Sequence, residues 1–380
     1  MKTKDKTLPR LSRRKVLKTG VAAGVIASAP LYVKNAFSQS GELNIYMWSD
    51  YLPQTLRDQF KEETGVTINF TGIGSNEELI NKMKATKGRG ADIVTPTNMR
   101  SPQWEPLELL QAFDLSRVPT QNVNGGMLVV GEEEWNFGGS GSHWLPHIWG
   151  TEAVAWRTDQ WSPDGGVPSY GDVWAEDVSG KMMGRPHSMM VGAGLYMETI
   201  GELEPGDMRR AYGSEEAMRP IWRKVTDWVV ARKSHVGKFW NDADAQKSGF
   251  LQEGMVIGQT WDGPTLAMKT EGQPVTYQAP KEGALAWIDG LALPKAARNL
   301  DEVYAFIEFM YRSEVGGETA NKTGYNSAVN GSDAFLSEDS KNNFSEAYPG
   351  DALDNLWPWP TEPAWYASIR SEYRDEFVAA

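Results

Sequence analysis

Residues 43–95 alternate between two hydrophobic periods, and this alternation restricts the fold more than any other feature of the chain. In Leu43-Asn44-Ile45-Tyr46-Met47 every second side chain is apolar, the period of a strand with one covered face. Leu52, Leu56 and Phe60 then recur four apart, a helical stripe that Gly65 ends. Val66 to Phe70 reads as a second strand, rich in β-branched residues. Asn76 to Ala85 reads as a second helix with Leu79, Ile80 and Met83 on one face, and Asp92-Ile93-Val94-Thr95 as a third strand stopped by Pro96. Strands separated by helical crossovers pair in parallel, so the expected class is α/β. Ligands on such sheets bind beyond the C-terminal strand ends, which here are Trp48 to Tyr51 and Thr97 to Met99.

The remainder of the 380 residues is long enough for a second core. Residues 152–288 are richer in Trp, Met and loops. Ala284 to Pro294 reads as an extended segment crossing between two bodies, and a marked helix follows: Asn299 as cap, Glu302 at its third position, and Val303, Phe306, Ile307 and Met310 as its apolar face. Regular α/β pattern resuming after a long insertion predicts two lobes joined by crossing strands. The sequence has no internal repeat.

The N-terminus bears on compartment. Ser12-Arg13-Arg14-Lys15-Val16-Leu17-Lys18 has the pattern of a twin-arginine export motif, and the apolar run from Gly20 to Val33 is shorter than the roughly 20 residues of a membrane span. Ala36-Phe37-Ser38 is the expected cleavage site, since cleavage after Ala29 would leave Pro30 first. With no cysteine there is no lipid attachment, so the expected location is the periplasm, reached through the twin-arginine machinery. Residues 1–38 hold nine Lys/Arg against one Asp, +8 of a chain whose net charge is −12; the rest therefore stands at −20. That balance disfavours nucleic acid and favours cationic partners.

Catalytic signatures are missing from the sequence. His143 and His147 are four apart, but Pro146 between them opposes a helical zinc pair, so no metal is expected. Gly138-Gly139-Ser140-Gly141-Ser142 lacks the final glycine of a nucleophile elbow, and Gly72-Ile73-Gly74 lacks the third glycine of a dinucleotide fingerprint, so no cofactor is expected. An acid-pair hydrolase remains the alternative from the enzyme class, because acids are abundant and no segment singles out a pair.

Aromatics beside carboxylates are the distinctive local pattern. Among 16 Trp, several flank an acid: Trp48-Ser49-Asp50-Tyr51, Trp261-Asp262 and Trp287-Ile288-Asp289. An aromatic face attracts an ammonium group by roughly 0.5–2 kcal/mol. A carboxylate adds a charge-assisted hydrogen bond of about 1.5–3 kcal/mol. Together they suit an amine on an alkyl chain. Sugars also stack on Trp, and the same rings could simply fill a core.

In these segments the chain resembles the periplasmic polyamine-binding proteins of ABC transporters, the spermidine/putrescine receptors. The resemblance runs in order through Leu43 to Tyr51, Phe60-Lys61-Glu62-Glu63-Thr64-Gly65-Val66, Ser75 to Leu79, Asp92 to Pro96 and Pro146 to Thr151. It continues through Trp261-Asp262-Gly263 and Pro280 to Asp289. It implies a type II periplasmic-binding fold of two α/β lobes, each a mixed sheet flanked by helices, closing on a ligand with no reaction. The lobes would comprise 39–151 with 289–334 and 152–288 with 335–380. By family position, Trp48, Ser49, Asp50 and Tyr51 contact the ligand, as does Thr97. Trp261 and Trp287 pack on its methylenes, Asp289 holds an amino group, and Tyr325 is an aromatic near the same end; Asp262, beside Trp261, is a further candidate from the aromatic–acid pattern. An inner-membrane ABC permease is the implied partner, and the receptor is expected to be a monomer. There are two departures. Arg185-Pro186-His187-Ser188-Met189-Met190-Val191 offers no carboxylate where the family often holds a second amine, and Asp262 directly follows Trp261. These leave open a shorter or singly charged amine, such as a quaternary ammonium compound or an ω-amino acid.

Overall fold

The computed structural model describes residues 41–380; the arginine pair and both candidate cleavage sites lie outside the described residues. The expected opening is present. Strand β1 (Glu42–Trp48) buries Leu43, Ile45 and Met47, and pairs in parallel with β2 (Thr67–Ile73) and β3 (Ile93–Val94). The helix Gln54–Thr64 lies between β1 and β2. It starts two residues later than its hydrophobic stripe because Pro53 occupies the cap position, and Gly65 ends it at φ 78°, donating to the Lys61 carbonyl. Helix Asn76–Thr86 is capped by the Ser75 side chain, which accepts from the Glu78 N–H.

Twelve strands among the described residues form one mixed sheet. At its far end β6 (Met182–Gly184), β7 (Val236–Phe239) and β8 (Ile257–Trp261) form a second parallel set. Two long strands join the parallel sets: β5 (Trp144–Arg157), and β10 (Leu285–Pro294) on the segment expected to cross. They run antiparallel to each other, with β10 beside β3 and β5 beside β8.

Their ladder slips at Asp289/Gly290, where Asp289 faces Ile148 but Gly290 faces Pro146, leaving His147 as the extra residue. Pro146 has no N–H to give, and the Gly290 N–H turns instead to the Pro96 carbonyl. Only glycine fits at 290, because a Cβ there would lie 2.0 Å from the Trp144 ring.

Helices cover both faces. Near β1, helix Leu300–Met310 packs on helix Gln54–Thr64 through Phe306 and Phe309, whose rings lie 5.6 and 5.4 Å from Phe60. Asn299 was expected to cap this helix with its side chain; instead its amide donates to Asp92, which also accepts from the Arg298 and Asn299 N–H groups. The buried Asp92 carboxylate thus anchors the residues that lead into the helix, which has no side-chain cap. At the opposite end the last helix, Ala364–Ala379, packs on Glu215–Val230 and on Pro186–Thr199.

Candidate functional site

The loop after β1 brings Trp48, Asp50 and Tyr51 to the middle of the sheet, because the chain turns back at once: the Tyr51 N–H donates to the Trp48 carbonyl. After β3, Thr97 forms a single antiparallel bridge with Asp289. Asn76 fixes it twice, accepting from the Thr97 N–H at 3.1 Å and donating to its hydroxyl at 2.8 Å. On β10, Trp287 and Asp289 are two apart and share a face. Trp261 ends β8, its backbone clamped on both sides by the Gln246 side chain. Tyr325 follows Gly324, the left-handed residue that ends helix Ser313–Thr323.

These residues line a single cleft. Tyr51, Trp287 and Tyr325 form a cluster with ring centroids 5.1–6.3 Å apart, and Trp48 links Tyr51 (6.3 Å) to Trp261 (6.0 Å). Asp289 is buried. One of its oxygens accepts a short hydrogen bond from Tyr51, and the other, Oδ1, has no partner among the described residues. Burial pushes its pKa up to about 7, against the pull of the Thr97 and Tyr51 hydroxyls. Asp50 is pushed to about 6 by burial, against the pull of the Tyr325 hydroxyl. Each acid also raises the other's partners, since Asp289 and Asp50 both lift the Tyr51 phenol well above its ordinary value, after burial. An acid held above its ordinary pKa in a ring-lined cleft is stabilised as a carboxylate by an incoming cation.

Eight of the ten residues expected from the sequence line this cleft: Trp48, Asp50, Tyr51, Thr97, Trp261, Trp287, Asp289 and Tyr325. Ser49 is exposed and outside the wall. Asp262 lies behind it, fully buried, accepting from the Thr151 N–H, the Gly263 N–H and the Tyr348 hydroxyl. Burial pushes its pKa to about 7, and it joins β5 to the start of helix Asp262–Thr270. The reason is geometric. The strand ends at Trp261 and Asp262 opens the following helix, where its carboxylate is turned to the Thr151 and Gly263 N–H groups and away from the cleft.

The wall also holds residues that the local patterns did not single out. Glu152 on β5 is buried and pushed to about 7 by burial, against the pull of Arg185. Arg185 and His187 stand at the start of helix Pro186–Thr199, and Trp359 and Glu362 come from the C-terminal segment. The guanidinium of Arg185 lies 5.1 Å from the Trp261 ring centre. At the edge of the cleft Arg100 binds Glu362 (2.8 Å) and Glu77 (3.1 Å), and Arg370 binds Glu77 (2.8 Å). This network ties helix Asn76–Thr86 to the C-terminal segment. Although burial opposes it, the two arginines hold Glu77 well below its ordinary pKa. His187 is held neutral, by burial first and then by Arg370 and Arg185.

A family model described as bacterial extracellular solute-binding protein matches residues 55–345. The spermidine/putrescine-binding periplasmic protein of Escherichia coli strain K12 is 24% identical over 342 residues, covering 89% of this chain and 91% of that protein. The spermidine/putrescine-binding periplasmic protein 1 of Haemophilus influenzae is 26% identical over 285 residues, covering 73% and 71%. A solved structure described as a putative spermidine/putrescine ABC transporter from Listeria monocytogenes is similar with a TM-score of 0.74 at 21% identity, covering 89% of this chain and 99% of that one. That likeness shows the α/β periplasmic-binding fold.

Proposed function

The chain belongs to the bacterial extracellular solute-binding proteins, a family of receptors rather than enzymes, and from that premise we propose that it is the periplasmic receptor of an ABC uptake transporter for a small amine. The observation that carries this reading is Asp289: a buried carboxyl, walled by Tyr51, Trp287 and Tyr325, with one oxygen unpaired. A cationic group supplies both the missing hydrogen bond and the missing charge. Relatives named for spermidine and putrescine support the same ligand class, a polyamine-like cation.

Uptake follows from closure. For lobes divided as expected, 39–151 with 289–334 and 152–288 with 335–380, the ladder slip at Asp289/Gly290 supports a hinge at their boundary. The receptor leaves the cytoplasm through the twin-arginine machinery, binds as a monomer, and delivers its ligand to an inner-membrane permease. Asp262 acts behind the ligand in holding β5 to its neighbour, and Ser49 acts outside the cleft, its N–H tying the loop to the Ile73 carbonyl.

The test is a thermal-shift screen of amines, amino acids and sugars, followed by calorimetry, since a ligand that binds only the folded state raises Tm. An amine is expected to bind at one-to-one stoichiometry with no product formed, and small-angle scattering is expected to show compaction. Binding restricted to sugars or anions, or turnover of a glycoside or ester, would refute the reading.

A further inference from the structure

The cleft has a second charged end. Two of the arginines near it are neutralised: Arg100 by Glu362 and Glu77, and Arg370 by Glu77. Arg185 is different. Its guanidinium makes no ion pair or hydrogen bond with any described residue, and its contact is with the face of Trp261. It also precedes Pro186 at the start of a 14-residue helix, whose first free N–H groups and dipole add to the positive potential there.

The unpaired polar atoms of the wall are of both kinds. Asp289 Oδ1 is a buried acceptor without a donor. The indole N–H groups of Trp48 and Trp287 are buried donors without an acceptor among the described residues. Leaving a buried polar group unpaired costs about 1–3 kcal/mol, so the ligand is expected to answer these atoms. A polyamine carries N–H donors alone. It satisfies Asp289 and Asp50, leaves the indoles and Arg185 unanswered, and sets its second ammonium near an unpaired guanidinium. A quaternary ammonium group has no N–H and leaves Asp289 unanswered. A primary ammonium and a carboxylate in one molecule satisfy both kinds.

The spacing is aromatic. From Asp289 the wall runs through its bond to Tyr51, then to Trp48 at 6.3 Å, to Trp261 at 6.0 Å and to Arg185 at 5.1 Å. Opposite charges at the two ends of a row of rings fit an alkyl chain with opposite charges at its ends. Resting on the receptor reading above, we propose that the ligand is a zwitterion, a linear ω-amino carboxylate whose ammonium group is held by Asp50 and Asp289 and whose carboxylate is held by Arg185. Glu152 and Glu77 both attract this guanidinium, but neither reaches ion-pair distance: Glu77 is bound to Arg100 and Arg370, and burial keeps Glu152 partly protonated near neutral pH.

Calorimetry at fixed salt tests this with pairs of equal chain length: 4-aminobutanoate against putrescine, and 5-aminopentanoate against cadaverine. The wild type is expected to bind the better amino acid at least tenfold tighter than its paired diamine. Arg185→Met is expected to weaken that amino acid by about 30-fold or more and to abolish its advantage over the paired diamine; ligand-free thermal unfolding reports that the variant is folded. Arg185→Lys, which keeps the charge, is expected to lose less than tenfold. Tighter diamine binding by the wild type overturns the zwitterion. So does a loss below threefold for the amino acid in folded Arg185→Met. If diamines bind and Asp289→Asn abolishes their binding, the cation receptor stands and only the carboxylate end falls. If neither class binds, both fall.

Discussion

Replacing Asp289 by Asn should move two properties in opposite directions. The side chain is 3% exposed and its pKa is raised by burial from 3.8 to about 7. At about 1.4 kcal/mol per pH unit, the ionised form is destabilised by about 4 kcal/mol in the ligand-free protein. Asn keeps an acceptor for the Tyr51 hydroxyl and carries no charge. Its own amide is then buried without a partner, which returns about 1–3 kcal/mol of that relief. The net gain is about 1–3 kcal/mol, and at about 2.1 cal/mol/K per residue over this folded length it corresponds to a Tm increase of about 1–4 °C. Affinity should fall instead. A buried ammonium deprived of its carboxylate costs on the order of 2–5 kcal/mol, or roughly 30-fold to several-thousand-fold in Kd. Differential scanning calorimetry without ligand and titration calorimetry with the best amine read the two quantities separately. A binding loss below about tenfold would show that the carboxylate is not what holds the cation. A Tm that falls by several degrees would show that Asp289 serves the fold, through Thr97 and Tyr51, before it serves the ligand.

The same acids set the pH dependence. Asp50 and Asp289 have folded pKa values of about 6 and about 7, above their unfolded value, so the folded ligand-free chain holds extra protons between about pH 4 and 7 and its stability falls as pH rises through that window. Ligand-free Tm is therefore expected to be lower at pH 7.5 than at pH 5, while amine affinity is expected to rise from pH 5 to pH 7.5, by up to tenfold per unit for each proton displaced; Tm and affinity moving in the same direction would refute this assignment. Arg100→Met leaves Glu362, itself 1% exposed, with the longer 3.7 Å contact to Arg370, and denaturant unfolding is expected to show a loss of about 3–5 kcal/mol. A change below 1 kcal/mol would mean that the network is dispensable. Arg13→Lys with Arg14→Lys is expected to leave uncleaved precursor in the cytoplasm, because the paired guanidinium groups are the recognition element; normal periplasmic accumulation on fractionation would refute it.

How much of this was legible depends on how locally each feature is encoded. Strand β1, its loop and the two following β/α steps are written in short periods, and the structure reproduces them within a few residues. Strand β5 is not. Residues 144–157 are buried on both faces except at Trp149 and Arg157, so no alternation marks them, and Pro146 argues against a central strand. The structure admits that proline where the ladder slips, with Gly290 opposite, a pairing set by two segments some 140 residues apart. Trp287 and Asp289 were readable as one face because they are two apart. Asp262 neighbours Trp261 in sequence, but it opens the next helix and its carboxylate is taken up by Thr151, Gly263 and Tyr348.

Glu152 and Arg185 show the deeper reason why a site is harder to read than a fold. Each is one charged residue in an unremarkable stretch, and neither has a spacing that distinguishes it from a solvated surface charge. Glu152 becomes a cleft residue because β5 is central, and Arg185 because β6 ends beside β8. What marks them is a mismatch that exists only in three dimensions: a carboxyl raised to about 7 by burial, and a guanidinium with a ring beneath it and no acid within ion-pair distance. Such unpaired groups lower the stability of the empty receptor. A receptor whose closed form is incomplete without its ligand closes only when the ligand supplies the missing partners, and the same mismatch that weakens the empty cleft then makes occupancy and closure one event.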